Sequence, residues 1–188
     1  MAVNISARQF QDQNFQEKIV RILAETRFDP QSLELEITET SIMENPDSAV
    51  KALSAIRRLG VRIAIDDFGT GYSSLSYLKR LPIDTVKLDQ SFVKGATSDP
   101  SGAALVMAII TLAHNLRLRV IAEGVETEEQ HVFLRLLRCD EGQGYLFGKP
   151  APADTFASIL HAGPQRKQDR FLASPRSEPN IARMAVNK

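Results

Sequence analysis

Residues 62–88 read RIAIDDFGTGYSSLSYLKRLPIDTVKL, and this stretch decides the fold. A short apolar run closes on Asp66-Asp67, a Gly- and Ser-rich turn follows, a helical segment fills 73–80, and a second β-branched run covers 85–88. A helix between two short strands supplies the crossover that parallel strands need, where a tight hairpin would join antiparallel ones. The unit repeats outward in both directions. Strand candidates fall at 2–6, 33–38, 62–66, 85–88 and 119–122, with a short one at 140–144. Helix candidates lie between them at 9–25, 46–58, 73–80, 101–115 and 127–137, and a last one at 153–160. Consecutive hairpins are absent, so the alternation predicts an α/β fold on a parallel sheet.

Two helices carry their own punctuation. In NPDSAVKALSAIRRLG, residues 45–60, Asn45 suits the N-cap, Pro46 the first helical position and Gly60 the positive φ beyond the end. Val50, Leu53, Ile56 and Leu59 form its apolar stripe, and Arg57 and Arg58 sit where the helix dipole favours cations. Thr127 caps the 127–137 helix, with Glu128 and Glu129 in its first turn and Val132, Leu134, Leu136 and Leu137 among its apolar positions.

With 188 residues, 43% hydrophobic and 24% charged, the chain has the proportions of a globular protein rather than a disordered one. Its formal net charge of zero gives no overall field that steers it onto a nucleic acid polymer or acidic lipid. The single cysteine, Cys139, forms no internal disulfide and no thiolate zinc cluster, which fits a reduced, cytoplasmic setting. No apolar run approaches the roughly 20 residues that span a bilayer. Residues 161–188 differ in composition from the rest, with three prolines, six Lys or Arg and two Asp or Glu. They read as a disordered tail after an ordered domain at 1–160.

Nearly every strand candidate ends on a polar residue: Asn4, Glu36, Asp66 with Asp67, Lys87, Glu123 and Gln143. In a (β/α)8 barrel the C-terminal strand ends converge on one face, whereas an open doubly wound sheet spreads them along an edge. Singly, each residue also has a structural use: Asp66-Asp67 can start a turn, Lys87 can pair with an acid, and Gln143 can be a loop amide. Together, several carboxylates beside one lysine call for compensating cations. Carboxylates and the Asn4 amide suit hard Mg2+ or Mn2+ rather than Zn2+. His114 and His131 fall within helices and His161 opens the tail, positions that suggest surface roles. Two such ions clamp an in-line phosphoryl displacement, which points to phosphodiester hydrolysis.

The chain resembles the EAL domain of bacterial cyclic di-GMP phosphodiesterases, a signalling family. The likeness rests on NISARQF at 4–10, LELEITET at 33–40, IAIDDFGTGYSSLSYLKRLPIDTVKLDQSFV at 63–93, VIAEGVET at 120–127 and EGQGYLFGKP at 141–150. The resemblance implies a TIM-type barrel that opens cyclic di-GMP to linear pGpG with two Mg2+ or Mn2+ ions and works as a homodimer. It assigns Asn4, Glu36, Asp66, Asp67 and Glu123 to the metals and Lys87 to the attacking water. Gln143 joins the water and substrate network, Glu126 takes a further functional position, and Glu39 anchors the loop 67–76 that couples site to dimer.

The Glu-Ala-Leu tripeptide that names the family does not occur in this sequence. The family places it, with a substrate-gripping arginine, on strands ahead of residue 2. The expectation is therefore an incomplete (β/α)8 barrel lacking its first strands, with unpaired edges and a weakened metal site. Sensory or diguanylate cyclase-type domains are expected in a longer parent chain. Three readings follow: a phosphodiesterase module; a degenerate module that binds cyclic di-GMP or a protein without cleavage; and a lyase using Lys87 as a Schiff base.

Overall fold

The computed structural model describes residues 1–71, 75–152, 155 and 161. The expected helix at 153–160 and the tail at 161–188 lie outside the described residues, save Thr155 and His161. Six strands, β1 (Ala2–Ile5), β2 (Glu34–Thr38), β3 (Arg62–Phe68), β4 (Thr85–Leu88), β5 (Arg119–Ala122) and β6 (Glu141–Gly142), form one sheet in the order of the chain. Every neighbouring pair is parallel. This is the expected open portion of a TIM-type barrel, not a doubly wound sheet, whose strand order would reverse.

Helices α1 (Ala7–Phe10), α2 (Phe15–Thr26), α3 (Glu39–Met43), α4 (Pro46–Arg57), α5 (Leu75–Leu78), α6 (Gln90–Gly95), α7 (Pro100–Asn115) and α8 (Glu128–Leu136) return the chain between strands. With a side-chain period of two, Leu35, Ile37, Ile63, Ile65, Val86, Leu88 and Val120 face the helices and are buried. Leu53 and Ile56 of α4 close onto that layer. The other sheet face carries Glu34, Glu36, Thr85 and Lys87, whose buried polar groups pair across the strands.

The α4 punctuation behaves as its chemistry dictates. Asn45 Oδ1 accepts the Ser48 N–H at 3.2 Å, Pro46 opens the helix, and Gly60 sits at φ 94°. Thr127 accepts the Gln130 N–H, and Gln130 returns the bond to Thr127 in a capping box. The expected helix at 9–25 is instead two, because the Asp12 carboxylate takes the Asn14 N–H at 2.8 Å and breaks the path. On α8, Leu134 is buried, yet Val132 is 53% and Leu136 77% exposed, so the apolar stripe is narrower than the sequence suggests. His131 does not take the expected surface position: it is 2% exposed and packs edge-on against Phe147, with ring centroids 5.6 Å apart.

Two aspartates lock the strand starts in the same way. Asp84, just ahead of β4, accepts the Ile63 N–H at 3.0 Å and the Arg57 guanidinium at 2.8 Å. Asp140, just ahead of β6, accepts the Val120 N–H at 2.9 Å and faces His114 Nε2 at 2.8 Å. Each ties a strand to its neighbour and to a helix end. Replacing Asp84 with Ala leaves a strand N–H without its acceptor and is expected to cost about 1–3 kcal/mol, measured by urea denaturation.

Candidate metal centre

The site begins with a bulge. Ile65 pairs with Val86 and Phe68 with Leu88, so β3 spends one residue more than β4 between the two pairs. The extra residue falls at Asp66-Asp67, and Asp67 takes φ 53°. Consecutive strand residues ordinarily face opposite ways, and a bulge is what turns two of them to one side. Asp66, Asp67 and Glu123 each offer a carboxylate oxygen within 4.8 Å of the others. A non-glycine residue in left-handed backbone costs about 1–2 kcal/mol, strain of the kind stored at functional sites.

Lys87 stands at the centre. Its ammonium lies 2.7 Å from Glu36 Oε2, 3.1 Å from Asp66 Oδ1 and 2.8 Å from Glu123 Oε1, and the residue is 5% exposed. Three strands besides its own, or their ends, thus converge on one cation. Burial alone pulls an ammonium down, but hydrogen bonds to Glu123 and Glu36 outweigh it and push Lys87 above its ordinary value. The carboxylates still exceed the ammonium. Burial first, then the charges of Asp66 and Asp89, push Asp67 upward. Burial also raises Glu123, against the pull of Lys87.

The remaining expected residues take varied positions. Asn4 is in register with Glu36 on the adjacent strand and therefore on the same sheet face. Gln143 follows β6, its N–H bonded to Ala122 O and its carbonyl to Val125 N–H. Glu126 stands apart from the lysine cluster, with its carboxylate 3.9 Å from Lys94. Glu39 is 1% exposed and accepts the Gly69 N–H at 2.8 Å, directly on the turn after the bulge. Residues 72–74 of the loop 67–76 lie outside the described residues.

The sequence reading passed over Asp89. It caps α6 through the Ser91 N–H at 2.9 Å, and its charge reaches Asp67. The signal was present: Asp89 follows β4 just as Glu123 follows β5. Gly124, at φ 68°, turns the chain after Glu123 where an added Cβ would lie 2.4 Å from Gln90 Cβ.

These donors fit a hard divalent cation. They are oxygen ligands only, gathered within reach of one another, and carry negative charge that Lys87 does not cancel. The raised Asp67 carboxyl has a sign that can be checked. The folded state holds a proton that the unfolded chain releases, so this contribution to stability is present at low pH and lost as pH rises through the raised value. Asp67→Asn is expected to gain stability relative to the parent as pH climbs from about 4 to 7 in metal-free buffer, read from urea midpoints.

Comparison with known proteins agrees with the geometry. The family model described as "EAL domain" matches residues 1–150. The chain is 45% identical over 156 residues to the cyclic di-GMP phosphodiesterase PdeR of Escherichia coli, covering 83% of this chain and 24% of that protein. It superposes with TM-score 0.80 and 44% identity on the Pseudomonas aeruginosa MucR phosphodiesterase in complex with c-di-GMP, covering 82% of this chain and 63% of that one. It also superposes with TM-score 0.73 and 32% identity on Klebsiella pneumoniae BlrP1 in a manganese and c-di-GMP complex, covering 80% of this chain and 38% of that one. The chain spans less than a quarter of the length of PdeR and of full-length MucR. From the bulged aspartate pair, the buried lysine and a family match over residues 1–150, the chain belongs to the EAL domain family.

Proposed function

We propose that this EAL domain acts on cyclic di-GMP, hydrolysing one phosphodiester to give linear pGpG. The observation that carries the reading is the carboxylate cluster of Asp66, Asp67 and Glu123 beside Glu36 and Lys87. Asp66, Asp67 and Glu123, with Glu36 and Asn4, would hold Mg2+ or Mn2+. Such ions supply Lewis-acid charge against phosphoryl oxygens and make water more acidic. BlrP1, a relative, carries manganese with c-di-GMP, which supports this cofactor class.

Lys87 acts as a hydrogen-bond donor and a positive charge. Three carboxylates hold its proton, so it serves neither as the general base nor as the neutral amine a Schiff base needs. Its part is to orient Glu36, Asp66 and Glu123 and to place positive charge beside the scissile phosphate. Gln143, on the same rim, hydrogen-bonds the water or the nucleotide, and Glu126 completes the rim near Lys94. Glu39 holds the turn at Gly69, so occupation of the carboxylate cluster is felt along that loop.

An apolar hollow of about 250 Å³ lined by Phe68, Gly69, Phe92, Leu105, Ile109 and Leu112 adjoins the same turn and supports a second copy docking there. The domain at 1–160 with a tail at 161–188 belongs to this proposal, as does a cytoplasmic setting. The thiol of Cys139 is buried and pushed up to about 12, so it is unreactive. No helix among the described residues is long and apolar enough to cross a membrane.

Because Lys87 already satisfies an oxygen of Glu36, of Asp66 and of Glu123, a module that binds the nucleotide without cleaving it is the competing reading. One experiment separates the two: the purified chain with cyclic di-GMP and Mn2+, nucleotide binding and pGpG release measured separately. The expected result is binding with product, and Asp67→Asn is expected to lower product formation by about two orders of magnitude or more. Binding without product selects the receptor reading. Neither binding nor product rejects both.

A further inference from the structure

Opposite the acidic mouth lies the face formed by strand starts and helix ends, and arginine gathers there. Helices α2, α7 and α8 each give way to an arginine in left-handed backbone: Arg27 at φ 53°, Arg117 at φ 63° and Arg138 at φ 61°. Arg58 caps α4, Arg62 opens β3 and Arg135 lies in the last turn of α8. All six are exposed. None of them is ion-paired among the described residues. Acids at the same end are engaged: Asp84 with Arg57, Asp140 with His114, Glu141 with Arg119, Glu34 with the Thr85 hydroxyl, and Asp29 with the Gln31 N–H and the Ser32 hydroxyl.

Glycine is the ordinary residue at a left-handed helix exit, and Gly60 fills that place after α4. A cation at a helix C-terminus gains from the dipole, which accounts for each arginine singly. It does not account for three exits in one fold choosing arginine over glycine while nearby acids pair elsewhere. The sum is a positive face on a chain of zero formal charge, with the carboxylate cluster of Asp66, Asp67 and Glu123 at the other end.

We propose that this arginine face docks on an anionic phospholipid surface. Charge complementarity calls for an anionic partner, and Leu136, 77% exposed between Arg135 and Arg138, offers an apolar side chain to the headgroup boundary. A nucleic acid strand is disfavoured, because the one large aromatic exposed among the described residues, Tyr145, follows β6 at the opposite rim. The polarity also sets orientation. An anionic surface attracts the arginines and repels the acidic mouth, so the carboxylate cluster faces water, from which a nucleotide arrives. The attraction fades beyond a Debye length of about 10 Å at 0.1 M salt, so only the arginine end feels the surface.

The test is co-sedimentation of the full chain with vesicles of phosphatidylcholine, alone or with about one-third phosphatidylserine, at about 0.05 M and 0.5 M salt. Binding is expected only to the serine-lipid vesicles, and at least about tenfold weaker at high salt. The double variant Arg117→Gly, Arg138→Gly removes two charges and relaxes two strained exits, so it is expected to fold with an undiminished Tm while partitioning at least about tenfold less. Lys51→Glu, exposed in the middle of α4, is expected to match the parent. Indifference of the parent chain to anionic vesicles at low salt overturns the proposal. So does parent-like binding by the glycine variant, or retention of polyglutamate or RNA where vesicles fail. No metal enters the experiment, so its outcome is independent of the phosphodiesterase reading.

Discussion

The inner layer of the molecule is organised by one buried ammonium. Lys87 draws Glu36 from β2, Asp66 from β3 and Glu123 from the end of β5 onto a single point, across strands that share no sequence neighbourhood. A charge so deeply buried is tolerable only when its donors are all engaged, and here three carboxylates engage them. The same contacts fix strand register, since a slip of one residue would turn Lys87 toward the helices and Leu88 toward the carboxylates. Stability and chemistry therefore draw on the same interaction. The lysine holds the acids together, and their surplus negative charge is what makes the place attractive to a divalent cation.

The sequence made the strand order legible because β1 to β5 are short runs with β-branched residues, each carrying a polar residue in or just beyond its last few positions. Capped helices such as α4 were equally plain, since Asn45, Pro46 and Gly60 act through local backbone chemistry. Short α3 and α6 were not legible, because a single turn carries no periodicity and forms only where Thr38 and Asp89 cap it. His131 looked like a surface residue because burial depends on Phe147, which arrives from a distant loop. The site residues were legible as a set of strand ends, but their mutual geometry was not. Nothing in Asp66-Asp67 announces which will face inward, and the answer lies in a bulge that exists only relative to β4.

That bulge and the arginine exits share a physical logic. Arg27, Asp67, Arg117 and Arg138 are the non-glycine residues at positive φ among those described. Each pays a conformational cost that glycine would avoid, and each bears a charge. The aspartate stands at the C-terminal end of the sheet, where the acids gather, and the arginines stand at the other end. In a parallel barrel the helices return antiparallel to the strands, so their negative dipole ends meet at the strand starts and welcome cations there. At the opposite end helix N-termini favour carboxylates. Topology alone thus biases the fold toward an acidic mouth and a basic base, and the four strained residues deepen that polarity. Their side chains are charged where glycine would hold the backbone more easily, which makes the separation of charge a property of this sequence as well as of its fold.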